Sequence, residues 1–108
     1  MRALLLLLAG CGLSDDELER LASERVQAAL AEPQTCSVDE DCEIIGLSGS
    51  CFDLCWGVIA TSNRGPVQAA MAEAESEYCA DYTGTFIRPP CVPPGEAACG
   101  DDGMCTER

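Results

Sequence analysis

The sequence predicts a small disulfide-rich α+β fold with an N-terminal helix, short antiparallel strands and one central helix. Three observations point there. Nine cysteines occur in 108 residues, eight of them from Cys36 to Cys105. Two segments place apolar side chains at helical spacing, and the other ordered runs are short, β-branched and bounded by Gly, Ser and Asn. A chain of this length has room for one small domain and none for a separate cofactor-binding half.

The first helix lies between residues 14 and 32. Ser14 and Glu17 form a capping box, because the hydroxyl accepts an exposed N–H while the carboxylate reaches back, and Asp15 and Asp16 suit the positive end of the helix dipole. Leu18, Leu21, Ala22, Val26, Ala29 and Leu30 form one apolar stripe, and Pro33 ends the helix. That stripe can dock on the cysteine-rich unit, remain part of a spacer, or pair with a second copy. Membrane contact suits it least, since six acids face only Arg20 and Arg25 between Ser14 and Glu32.

Residues 36–108 form the second unit. Glu43 to Leu47 and Gly57 to Thr61 read as strands, and Tyr82 to Arg88 is a third candidate. Between them Pro66 suits a helix first turn, and Val67, Ala70, Met71, Ala74 and Tyr78 make a stripe that predicts a helix from about Gly65 to Tyr78. Pro89-Pro90 and Pro93-Pro94 flank Cys91 and favour extended, rigid backbone. Asp101-Asp102-Gly103 predicts a tight turn with Gly at a positive φ, closing a hairpin.

The cysteine spacing decides what holds this unit together. Cys36, Cys42, Cys51, Cys55, Cys79, Cys91, Cys99 and Cys105 contain no C-x2-C pair and the chain has no histidine, so four disulfides are expected and no structural metal. Only 17 large apolar side chains stand among the 73 positions of this unit, too few for a comfortable core. Four bridges at roughly 2–4 kcal/mol each match the whole stability of an ordinary domain. One pairing follows from lengths. A strand from Trp56 to Thr61 and a helix of about 14 residues both span ~20 Å, which returns Cys79 to the neighbourhood of Cys55. Cys55–Cys79 is therefore the expected bridge, and the other six cysteines allow fifteen pairings.

Charge and composition exclude several functions. Nineteen acids against six arginines and no lysine give a net charge of −13, which repels phosphate backbones and argues against nucleic-acid binding. With neither His nor Lys there is no imidazole or amine base for a nucleophile, and G-x-S-x-G is absent, so no catalytic residues are assigned. Asp39, Glu40, Asp41 and Glu43, like Asp101 and Asp102, lack calcium-loop order and read as solvated acids. Cys51 to Cys55 has one residue too many for a C-x-x-C redox pair. No cofactor is expected.

The amino terminus points to a compartment. Met1-Arg2 precedes the apolar run Ala3 to Ala9 and then Gly10-Cys11, the order of an export signal too short to span a bilayer. Leu8-Ala9-Gly10-Cys11 resembles the lipobox of bacterial lipoprotein precursors. The resemblance covers only those four residues, and the leader is shorter than usual for the family. It implies cleavage between Gly10 and Cys11 and acylation of the Cys11 thiol, with residues 1–10 as signal peptide. Residues 11–35 become the lipidated cysteine and helical spacer, and 36–108 the eight-cysteine domain. Gly12, where Asp commonly retains such proteins at the inner membrane, points to the outer membrane in a Gram-negative host. With Cys11 assigned to lipid, the odd cysteine count is explained.

In whole-chain terms the sequence is similar to small cysteine-rich envelope lipoproteins of unassigned function. The expected role is a lipid-anchored binding or surface module for an unknown protein or envelope ligand, offering Phe52 to Trp56 and Arg88 to Gly95. Phe52, Trp56 and Arg88 are the candidate contacts, with core packing as the competing reading for the two aromatics. The alternative is a small protease inhibitor presenting Ile87-Arg88-Pro89-Pro90-Cys91, although proline after Arg88 does not suit simple tryptic presentation. Titration against serine and cysteine proteases separates the two.

Overall fold

The computed structural model describes residues 12–108; the lipobox, with Gly10 and Cys11, lies outside them. The described chain is a disulfide-rich α+β fold of two helices and two antiparallel strand pairs. Helix α1 (Asp15–Leu30) opens with the expected capping box: Glu17 N donates to Ser14 Oγ at 3.2 Å and Ser14 N donates to Glu17 Oε1 at 3.3 Å. Leu18, Ala22 and Val26 are buried along its stripe. Strands β1 (Cys42–Ser48) and β2 (Asp53–Ala60) form a hairpin in which Cys42 faces Ala60 and Gly46 faces Trp56. Helix α2 (Arg64–Glu77) follows with Pro66 in its first turn and buries Val67, Ala70 and Ala74. Strands β3 (Ala97–Cys99) and β4 (Cys105–Glu107) form a second hairpin across the Asp101-Asp102-Gly103 turn, where Gly103 takes φ 79°.

Helix α1 is docked. Ala22 and Val26 share one core with Leu47, Cys51, Phe52, Ile59, Val67 and Ala74, so the helix and the cysteine-rich unit bury their apolar faces against each other. Polar contacts order the seam. Arg25 reaches Glu77 at 2.9 Å, Glu73 at 3.1 Å and the Tyr78 hydroxyl at 3.0 Å, while Asn63 Nδ2 donates to the Ala29 carbonyl at 3.2 Å. Arg25 holds the Glu77 carboxyl below the usual range. The Tyr82 hydroxyl donates to Glu19, and that bond together with burial pushes its pKa up to about 12.

Four bridges close the fold: Cys36–Cys99, Cys42–Cys105, Cys51–Cys79 and Cys55–Cys91. The expected Cys55–Cys79 pairing is therefore corrected. The length argument brought the end of α2 to the right end of the hairpin, but β2 starts at Asp53, and side-chain direction chooses the partner. Cys51 is fully buried on the core side and meets Cys79, whereas Cys55 is turned toward the proline-rich segment and meets Cys91. Cys36–Cys99 and Cys42–Cys105 fasten the second hairpin beside the start of β1.

The third expected strand is also corrected. Tyr82 to Arg88 is irregular: among the described residues no strand pairs with it, and Tyr82 N donates to the Cys79 carbonyl at 3.1 Å. Thr83 N and Gly84 N donate to the Asp15 carboxylate at 3.1 and 2.8 Å, which ties this segment to the first residue of α1.

Candidate functional site

The β1–β2 hairpin and the proline-rich segment bring the candidate residues Trp56 and Arg88 to one side of the fold. Register shifts between Gly46 and Ser48, so that Leu54 and Cys55 of β2 stand against Leu47 alone: a β-bulge. Cys55 carries φ 65°, a left-handed conformation costing a non-glycine residue about 1–2 kcal/mol. Two constraints hold it there: its N–H donates to Asp53 Oδ1 at 2.9 Å, and its sulfur is tied to Cys91. The bulge thereby turns Cys55 out to anchor the segment from Arg88 to Gly95 through Cys91.

Asp53 organises this corner. Its side chain is only 5% exposed and accepts from the Cys55 N–H, from the Ser48 hydroxyl at 2.8 Å and from Arg88 at 3.2 Å. The Cys55 N–H does most to hold the carboxyl below its ordinary range; burial opposes it, and Ser48 and Arg88 add to the lowering. Arg88 also donates to the Gly49 carbonyl at 2.8 Å and lies 5.6 Å from the centre of the Phe86 ring. Its guanidinium is thus drawn back onto the hairpin instead of projecting from the loop. That geometry gives Arg88 the work of fastening the loop.

The two aromatics picked from the sequence part company. Phe52 is 1% exposed and packs in the core with Leu47 and Ile59, so it supports the hairpin from beneath and offers a partner nothing. Trp56 is 46% exposed. Its ring lies over Gly46 on the facing strand, where an added Cβ would sit 3.4 Å from the indole. The cross-strand glycine leaves room for the indole to lie against the backbone.

Between Trp56 and the segment from Pro90 to Pro94 runs a groove of about 290 Å³. Cys55 and Cys91 lie within it, and Glu107 from β4 is its one ionisable lining residue. The Gly95 N–H donates to that carboxylate, tying the end of the proline-rich segment to β4. The structure therefore unites Trp56 with the loop following Arg88, as two walls of one groove. Glu107, which sequence reasoning missed, gave no signal there: its place depends on how the second hairpin is folded against the first.

Among the described residues two cysteine groups have metal-like proximity, with ligand atoms within 4.8 Å of one another: Cys36, Cys42 and Cys105, and Asp53, Cys55 and Cys91. Every sulfur in them is oxidised in a bridge and supplies no thiolate. Among the described residues no helix is long and apolar enough to cross a membrane. No protein-family model, curated protein or solved structure matches this chain.

Proposed function

We propose that this chain is a lipid-anchored protein of a bacterial cell envelope, cleaved after Gly10 and acylated on Cys11, whose disulfide-rich unit is a binding module rather than an enzyme. One observation carries the reading. The eight cysteines from Cys36 to Cys105 pair entirely with one another, so the folded unit uses none of its disulfide chemistry on the ninth. Four bridges favour an oxidising compartment, and a lipobox-like tetrapeptide ending at the surplus cysteine accounts for it. Lipid is the anchor this composition requires. The mature chain would keep five arginines against nineteen acids, and an anionic bilayer surface repels such a protein. Two or more acyl chains, at ~0.8 kcal/mol per buried methylene, hold it stably.

Residues Gly12 to Ser14 alone separate Cys11 from α1, a reach of ~10 Å when extended. Anchoring would therefore keep the folded unit close to the membrane face, the outer membrane in a Gram-negative host. The test is the intact mass of protein extracted from its native membrane, before and after reduction and alkylation. The expected result is loss of residues 1–10, added acyl mass, and eight alkyl groups taken up only after reduction. An unprocessed chain whose Cys11 alkylates without reduction would refute the proposal.

A further inference from the structure

The binding-module reading leaves open what the groove beside Trp56 takes, and charge narrows the choice. Among the described residues all five arginines are spent on ion pairs: Arg20 with Glu24, Arg25 with Glu73 and Glu77, Arg64 with Glu43, Arg88 with Asp53 and Arg108 with Asp39. Thirteen of the nineteen acids have no cationic partner among the described residues. Arg88 and Arg108, the cations nearest the groove along the chain, are both held on carboxylates outside its lining. The groove itself presents an exposed indole face, apolar walls of proline and Val92, and the Glu107 carboxylate.

That combination suits a cation. Indole is the best of the aromatic faces for Arg or Lys, and the surrounding negative field draws such groups in. A volume of about 290 Å³ lies at the small end of ligand pockets, enough for one or two side chains and too little for a large cofactor. The proline wall is already rigid, so little ordering is needed to bind an extended chain. Acidic segments and nucleic acids meet like charge throughout. Resting on the binding-module reading, we infer that the groove receives a basic, extended segment of a partner protein, with an Arg or Lys side chain laid on Trp56 and its charge facing Glu107.

Trp56 is the sole tryptophan of the chain, so its emission reports this groove alone. The full chain, with its bridges intact and in detergent, is titrated with an Arg-Pro peptide and with the same peptide carrying Glu or Leu for Arg. The basic peptide should shift the emission saturably, and the other two should not. Affinity should fall steeply between about 0.01 and about 1 M salt, as the Debye length contracts from ~30 to ~3 Å. Glu107→Gln keeps an acceptor for Gly95 N–H and should raise the apparent Kd roughly three-fold, the scale of one exposed charge contact. Trp56→Ala, followed by calorimetry, should abolish the binding heat while circular dichroism stays unchanged. A flat titration, an equal response to the Glu or Leu peptide, or a Kd unmoved by both substitutions overturns the inference. Intact mass of the same sample keeps the two readings apart: acylated protein with a flat titration sinks the groove alone, and unacylated protein that binds sinks the anchor alone.

Discussion

Removing Cys51–Cys79 and removing Cys55–Cys91 should have different consequences even though the two loops are of similar size. Their sequence separations are 28 and 36 residues. Loop-closure entropy alone assigns them about 3.6 and about 3.8 kcal/mol. Both lie inside the spans closed by Cys36–Cys99 and Cys42–Cys105, whose effect on the unfolded chain is common to the two variants. Packing separates them. Cys51 is fully buried and Cys79 is 7% exposed, whereas Cys55 is half-buried and Cys91 exposed. Replacing the inner pair by alanine leaves two methyl-sized voids at ~1 kcal/mol each, and replacing the outer pair leaves none. Cys51→Ala/Cys79→Ala should therefore cost about 5–6 kcal/mol and Cys55→Ala/Cys91→Ala about 4. For a domain of this size that difference of about 2 kcal/mol places the inner variant's thermal midpoint ~8–16 °C below the outer one's. Circular dichroism melts under non-reducing conditions read it directly. Coincident midpoints, or an outer variant that melts first, would refute the division of labour between a core bridge and a groove bridge.

Three further outcomes follow from local geometry. Gly49→Ala drives a Cβ into the Phe52 ring and the Glu75 carboxylate, and should cost about 1–3 kcal/mol of stability, read as a lower urea midpoint at unchanged slope. Ser14→Ala removes one half of the α1 capping box and should cost about 1 kcal/mol in the same assay, with the bridges intact. Acid should weaken the fold, because Asp53, Asp41 and Glu77 are held below the ordinary carboxylate range, Asp53 chiefly by the Cys55 N–H, Asp41 by the Ser37 and Val38 N–H groups, and Glu77 by Arg25. Their contribution is complete above the unfolded carboxylate value near 4 and is lost as pH falls through the lowered folded values. Melts recorded from about pH 5 to about pH 2 should show a falling midpoint, and a constant one would contradict these bonds.

The determinants legible along the chain are those that act locally. A capping box needs only Ser14 and Glu17 three residues apart; an apolar stripe shows Leu18, Ala22 and Val26, or Val67, Ala70 and Ala74, as one face; Asp101-Asp102-Gly103 makes its turn with its own backbone. Cysteine count and the absence of histidine likewise point to bridges before any contact is known. Tertiary structure decided what depends on direction and distance between remote segments. Residue counts placed Cys79 at the correct end of the hairpin, but the bulge at Cys55, invisible in composition, turned that sulfur away from α2 and onto Cys91. Two aromatics four residues apart went one inward and one outward, because Phe52 belongs to the core side of the hairpin tip while Trp56 lies across Gly46 on the outer face. Glu107 joined Trp56 only when Cys42–Cys105 fastened the second hairpin to the first. Local order is written in neighbouring residues; a groove with walls from three parts of the chain exists only once packing has oriented them.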